Sequence, residues 1–271
     1  MLRSNRIVSK DEAKDLGLSQ RIALEADITD RRVQIVELER LVRRAANFDR
    51  FFKIVPWRRQ LLDFLSPLTD RLILDLGCGY AMTPVMFALL GARVVALDVA
   101  PKTLATVARV AQKLGVDGRV QTVLAPGEYL PFASGSFDRI HGGAALHHLQ
   151  LRKAGPEIFR VLKEDGKAGF SDPLGHNVLL EFVRDRIPYR KKHPEKATDR
   201  PLHLKDVKLF CQSFASAHYQ TFQLCSMLAS VARLSPSSPL RSYLQRIDAQ
   251  LFARFPSTQK YARKVIICVG K

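Results

Sequence analysis

Leu74-Asp75-Leu76-Gly77-Cys78-Gly79-Tyr80-Ala81 is the stretch whose reading decides the fold. A short apolar run meets a carboxylate and then turns through two glycines, residues suited to backbone that must pass a bound ligand with no side chain between. A dinucleotide-binding fingerprint would need a glycine or alanine at position 82; Met82 stands there instead. Phosphate sites gather backbone N–H groups and positive charge, so Asp75 ahead of the turn repels a pyrophosphate and suits a ligand with cationic groups.

Nineteen residues beyond Gly79, Asp98 ends a second apolar run, Val94-Val95-Ala96-Leu97. A carboxylate at such a strand end can accept both hydroxyls of a ribose. Together Asp75 and Asp98 ask for an adenosine-type ligand with a free ribose diol, no diphosphate and a cationic tail. S-adenosylmethionine meets that description.

Outward from the turn, short β-branched runs alternate with amphipathic segments. Strands are predicted at 72–74, 93–97, 120–124, 137–141 and 167–171, with helices at 83–90, 101–114 and 152–162. Such alternation implies a parallel sheet covered on both faces. Upstream, 11–47 carries apolar residues at helical spacing, and Pro56 opens a further helix to Leu65. Downstream of Pro173 the pattern loosens into a basic segment over 184–208. A helix at 204–214, a strand at 219–224, a helix at 240–255 and a β-branched strand at 264–269 follow. The expectation is an α/β fold with a helical N-terminal cap over 1–66 and a main domain over 67–271. Within that domain, 174–208 and 226–260 are expected to be acceptor-side insertions.

These segments resemble the class I S-adenosylmethionine-dependent methyltransferases, especially the small-molecule branch related to ubiquinone and menaquinone methyltransferases. The likeness runs from about Arg71 to Asp172 and rests on five ordered stretches: LDLGCG at 74–79, ALDVA at 96–100, GEYLPFASGSFDRI at 127–140, ALHHL at 145–149 and EIFRVLKEDGK at 157–167. It implies a seven-stranded, mostly parallel, Rossmann-like sheet with an antiparallel C-terminal strand and a basic insertion after the fifth strand. It also implies site roles. Asp75, Gly77, Cys78 and Gly79 would surround the methionine end of the cofactor, and Asp98 would hold the ribose with Val99 beside the adenine. Gly127 and Glu128 would lie at the adenine edge, and Gly142 near the cofactor amino group. Two departures stand out: Ala81 replaces a third glycine, and Pro126 replaces an acidic residue that often bonds the adenine.

Methyl transfer is an in-line displacement that mainly needs two reactants aligned and desolvated. A general base is required only where the nucleophile must lose a proton. His147 and His148 beyond the fourth strand, with Asp172 and His176 beyond the fifth, are the candidate catalytic residues, at the strand ends where open α/β sheets place their sites. His147 and His148 equally suit a structural role, Asp172 a turn before Pro173, and His176 an ordinary loop. Arg186, Tyr189 and Arg190 in the basic segment could close over an anionic acceptor, and a solvated basic loop is the plain alternative.

Composition narrows the rest. The 271 residues carry 43 Lys and Arg against 26 Asp and Glu, a net charge of +17 that favours anionic partners. Four scattered cysteines form no metal or disulfide pattern. No apolar run approaches the roughly 20 residues of a membrane-spanning helix, and a cytoplasmic location is expected. The leading reading is methyl transfer to the O, N or C of a small molecule, an anionic or lipid-like one in particular. An RNA methyltransferase is the alternative that the charge suggests, although no appended RNA-binding module is present. A degenerate cofactor-binding regulator is the third.

Overall fold

The computed structural model describes residues 17–53, 55–80, 82–175, 200–232, 234–235 and 238–271. Four helices come first: α1 (Leu18–Ile35), α2 (Leu38–Ala46), α3 (Phe48–Lys53) and α4 (Pro56–Leu65). The continuous helical periodicity of 28–48 is interrupted at Val36 and Glu37, whose backbones are extended. Apolar spacing carries through that break, so periodicity alone does not mark it.

The alternating region follows as β1 (Leu72–Leu76), α5 (Thr83–Leu89), β2 (Arg93–Asp98), α6 (Pro101–Lys113), β3 (Val120–Leu124), β4 (Phe137–Gly143), α7 (Leu151–Val161) and β5 (Leu162–Pro173). Then come α8 (Leu204–Cys211), β6 (Ser216–Phe222), α9 (Met227–Val231), α10 (Pro239–Arg254) and β7 (Lys264–Gly270). The described strands form one seven-stranded sheet in the order β3-β2-β1-β4-β5-β7-β6. β7 is the antiparallel strand, inserted between β5 and β6, and the remaining pairs are parallel.

Each face of the sheet has its own core. On one side Leu74, Ile140 and Phe170 pack with Ile158 of α7 and Phe210 of α8. On the other Ile73, Val94 and Ala96 pack with Leu41 of α2, Phe52 of α3, Phe87 of α5 and Val107 of α6. The strands are nearly continuous apolar runs because both faces are covered. Helix α4 lies across β5 and β7.

Helix α1 is tied to the sheet's helices by charge as well as packing. No side chain of its own caps α6, which starts at Pro101 after Ala100. Instead Asp30 of α1 accepts the Thr103 backbone N–H at 3.1 Å. A carboxylate there satisfies an orphan donor and favours the positive end of the helix dipole. The order of strands reverses between β1 and β4, and open α/β sheets bind ligands beyond the strand ends at that switch point.

Candidate active site

At the switch point, the turn after β1 is shaped by backbone conformations that side chains resist. Gly77 has φ +61°, and a Cβ there would sit 3.1 Å from the Ala145 Cβ. Met82, at φ 65°, takes the same left-handed geometry with its side chain wholly buried. Anchoring in the core under α5 compensates the strain of a non-glycine residue there. Ala81, the departure from the family pattern, lies outside the described residues.

Asp98 locks this turn to β2. Its Oδ2 accepts the Gly79 N–H at 2.8 Å and its Oδ1 accepts the Ala100 N–H at 3.0 Å. Burial pushes its carboxyl above the usual carboxylate range, partly opposed by those N–H donors. The neighbouring Cys78 thiol is raised well above its ordinary value by burial, then by Asp98 and Asp75. Such a thiol is protonated and inert as a nucleophile.

A cavity of about 510 Å³ opens against these residues, a size that suits a small ligand. Gly77, Cys78, Gly79, Asp98, Val99, Gly127 and Glu128 all line it, as do His147 and His148. A Cβ on Gly127 would meet Leu149 at 2.9 Å, so a larger residue would displace the wall. Glu128 Oε1 accepts the Gln150 N–H at 2.9 Å, which fixes the carboxylate at the cavity edge.

Two residues of the expected cofactor set, Asp75 and Gly142, do not reach the cavity wall, and neither does Asp172 of the expected catalytic set. Asp75 is fully buried beneath it, and its Oδ1 lies 2.6 Å from His141 Nδ1. His141 is the residue of the pair that lines the cavity. The strand's period-2 alternation turns Asp75 inward, so its influence reaches the cavity through His141. Gly142 is likewise off the wall: a Cβ there would clash with the Phe170 ring at 2.6 Å, so glycine makes room for packing. His176, Arg186, Tyr189 and Arg190 lie outside the described residues.

Between the end of β5 and the segment after β4 a second carboxylate–histidine pair forms. Asp172 is fully buried, and its Oδ1 accepts the His147 backbone N–H at 3.1 Å while lying 2.8 Å from His147 Nδ1. A carboxylate at Nδ1 fixes the proton there and makes Nε2 the basic nitrogen. His148 turns to α1 instead: its Nδ1 lies 3.1 Å from Glu25 Oε1, and Arg21 donates to its carbonyl at 2.7 Å.

The opposite wall comes from the N-terminal helices, expected as a cap and, by analogy with related enzymes, as a place for acceptor-binding elements. Phe51, Phe52 and Trp57 line it with Arg21, Arg32, Arg44 and Arg58. The rings make a continuous path. Phe51 and Phe52 are 5.2 Å apart, Phe52 and Phe87 5.7 Å, and Phe87 and His141 5.1 Å. The apolar spacing of 28–48 signals a buried face, but not that arginines share the wall with it.

Residues 74–170 match a family model described as a methyltransferase domain. An uncharacterised methyltransferase of Synechocystis is 39% identical over 109 residues, covering 39% of this chain and 48% of that protein. A demethylmenaquinone methyltransferase of Corynebacterium glutamicum is 34% identical over 157 residues, covering 55% of this chain and 65% of that protein. The chain thus spans about half to two thirds of the length of these curated relatives. Among solved structures, the YcgJ protein of Bacillus subtilis shares the fold at a TM-score of 0.52 and 20% identity, over 78% of this chain and 97% of that one. A geranyl diphosphate C-methyltransferase of Streptomyces coelicolor aligns at 0.54 and 16%, over 78% of this chain and 77% of that one. Residues 74–170, which carry the glycine turn and the parallel strands described above, thus match a methyltransferase domain.

Proposed function

We propose that this chain transfers a methyl group from S-adenosylmethionine to a small-molecule acceptor held in the 510 Å³ cavity. The observation that carries the reading is Asp98. Each of its oxygens accepts one backbone N–H at the cavity wall, and each carboxylate oxygen retains a second lone pair. Two ribose hydroxyls fit that capacity, and the backbone of Gly77 to Gly79 leaves room beside it. Bound cofactor would supply a methyl carbon activated by the sulfonium it is attached to.

The protein's own residues do the remainder. Asp98 and the glycine turn orient the nucleoside, with Glu128 at its edge. The Asp75–His141 pair presents a fixed imidazole beside the turn. Phe51, Phe52 and Phe87 exclude water from the space between, which favours displacement by an otherwise solvated nucleophile. His147 takes the acceptor's proton at Nε2 where the nucleophile carries one, with Asp172 stabilising the imidazolium that results. His147 suits the role better than His148, because Asp172 grips both its ring and its backbone.

The test is transfer of a labelled methyl group to extract separated into small-metabolite, lipid and RNA fractions. Label should enter the small-metabolite or lipid fraction; label in RNA alone would overturn the acceptor class.

The raised carboxyl of Asp98 adds a pH signature. Donated hydroxyl hydrogen bonds favour the carboxylate, so ligand binding lowers this pKa and releases a proton. Affinity for S-adenosylhomocysteine should therefore fall as pH drops through the raised value toward the ordinary carboxylate range. Unliganded stability runs the other way. Because the folded pKa is the higher one, this group's penalty is present above it and fades as pH falls through it. Calorimetric titrations between neutral and mildly acidic pH check both signs.

A further inference from the structure

The cavity is unevenly charged. Its cationic lining residues are Arg21, Arg32, Arg44, Arg58 and Lys264, against Glu25, Asp98 and Glu128. Those carboxylates are engaged, Glu25 with His148 and the other two with backbone N–H groups. Among the described residues, Arg32, Arg44 and Arg58 form no ion pair with a carboxylate. Arg58 is the most confined. It stacks 3.9 Å over the Phe51 ring and donates one long bond, 3.4 Å, to the Phe51 carbonyl. Burial first and the nearby Arg44 second bring its guanidinium down to about 10, so it is still charged at neutral pH.

Desolvating a guanidinium without a carboxylate is costly, and crowding it against another raises the cost. A negative charge delivered by a ligand would relieve both. The cofactor alone does not supply enough. S-adenosylmethionine carries one carboxylate against an ammonium and a sulfonium, leaving it net cationic, and three unpaired guanidiniums outnumber that carboxylate.

We infer that Arg44 and Arg58, on α2 and α4, bind the anionic group of the methyl acceptor, a phosphate or carboxylate carried on an apolar body that lies along Phe51, Phe52 and Trp57. This rests on the methyl-transfer reading for the word acceptor, though not for the anion site itself. Guanidiniums present paired N–H donors that match either anion, and the aromatic wall accounts for the apolar body. The path of rings from Phe51 to His141 then leads from the anchored end toward the turn where the methyl group would be delivered.

The test is calorimetric titration of the full chain with n-octyl phosphate, n-octanoate and n-octanol, each with and without saturating S-adenosylhomocysteine. At least one anion should bind about tenfold or more tightly than octanol, and more weakly as salt rises. Which anion binds better separates a phosphate acceptor from a carboxylate one. Arg44→Gln and Arg58→Gln should each weaken that binding about tenfold and leave S-adenosylhomocysteine affinity unchanged. Removing a buried charge favours folding, and Arg58→Lys serves as a second variant that keeps the charge but loses the fork. Equal binding of octanol, or unchanged anion affinity in the variants, overturns the inference. Parallel loss of S-adenosylhomocysteine binding in them also overturns it, by assigning these arginines to the cofactor carboxylate. Wild-type protein that binds the anions but not S-adenosylhomocysteine would sink the methyltransferase reading and leave the anion site standing.

Discussion

Asp172→Asn is expected to slow methyl transfer by about 10²- to 10⁴-fold while the protein stays folded and S-adenosylhomocysteine affinity is unchanged, the range typical of a lost general base. The reason lies in the charge of Asp172. Asp172 Oδ1 faces both the backbone N–H and the ring Nδ1 of His147. An asparagine that keeps its oxygen there still accepts both N–H groups, but it carries no negative charge to stabilise the imidazolium that forms when Nε2 takes the acceptor's proton. His147→Ala should give a loss of similar size, and the acidic limb of the kcat–pH profile should flatten in both variants. A merely structural role would lower the melting temperature and leave that profile's shape intact. Full activity in Asp172→Asn and His147→Ala would remove the pair from the chemistry.

Asp98→Ala should weaken S-adenosylhomocysteine binding by about 3 kcal/mol, roughly 100-fold, since charge-assisted hydrogen bonds contribute about 1.5–3 kcal/mol each. Two losses combine. The ribose hydroxyls would lose their acceptor, and the Gly79 and Ala100 N–H groups would lose theirs, loosening the turn the cofactor rests on. Asp98→Asn should recover little, because its amide must place hydrogens against one of those N–H donors. Calorimetry on folded variants settles it: affinity within about threefold of wild type, under 1 kcal/mol, would take Asp98 out of the ribose role.

The half of this cavity beside the glycine turn was legible in the sequence because it is built from local features. Gly77, Gly79 and Asp98 sit at the ends of apolar strands whose boundaries β-branched residues mark well, and β3 falls at 120–124 as expected. Asp75 shows the limit of such reading. Its spacing to the turn is visible, but the face it turns to depends on His141 from β4, 66 residues away. Strand β6 was misplaced by two to three residues, at 219–224 rather than Ser216–Phe222, because it is mostly exposed and shows little alternation. Strand β5 extends well beyond the expected 167–171, since its pairing with β4 continues past an irregularity to Leu162. The arginine wall was least legible. Arg44 and Arg58 occur among many arginines on α2 to α4, and only the way those helices pack on the sheet selects the ones that face inward.

The placement of β7 between β5 and β6 has a bearing on biosynthesis. Among the described residues, the ladder partners of β6 come from residues 264–270, and β5 needs the same segment along its outer edge. While the first 263 residues emerge from a ribosome, β5 presents an open apolar margin and β6 has no strand to join. Such margins template association between chains. Nascent protein stalled before Lys264 should therefore require holdase protection that a chain extended through Gly270 does not.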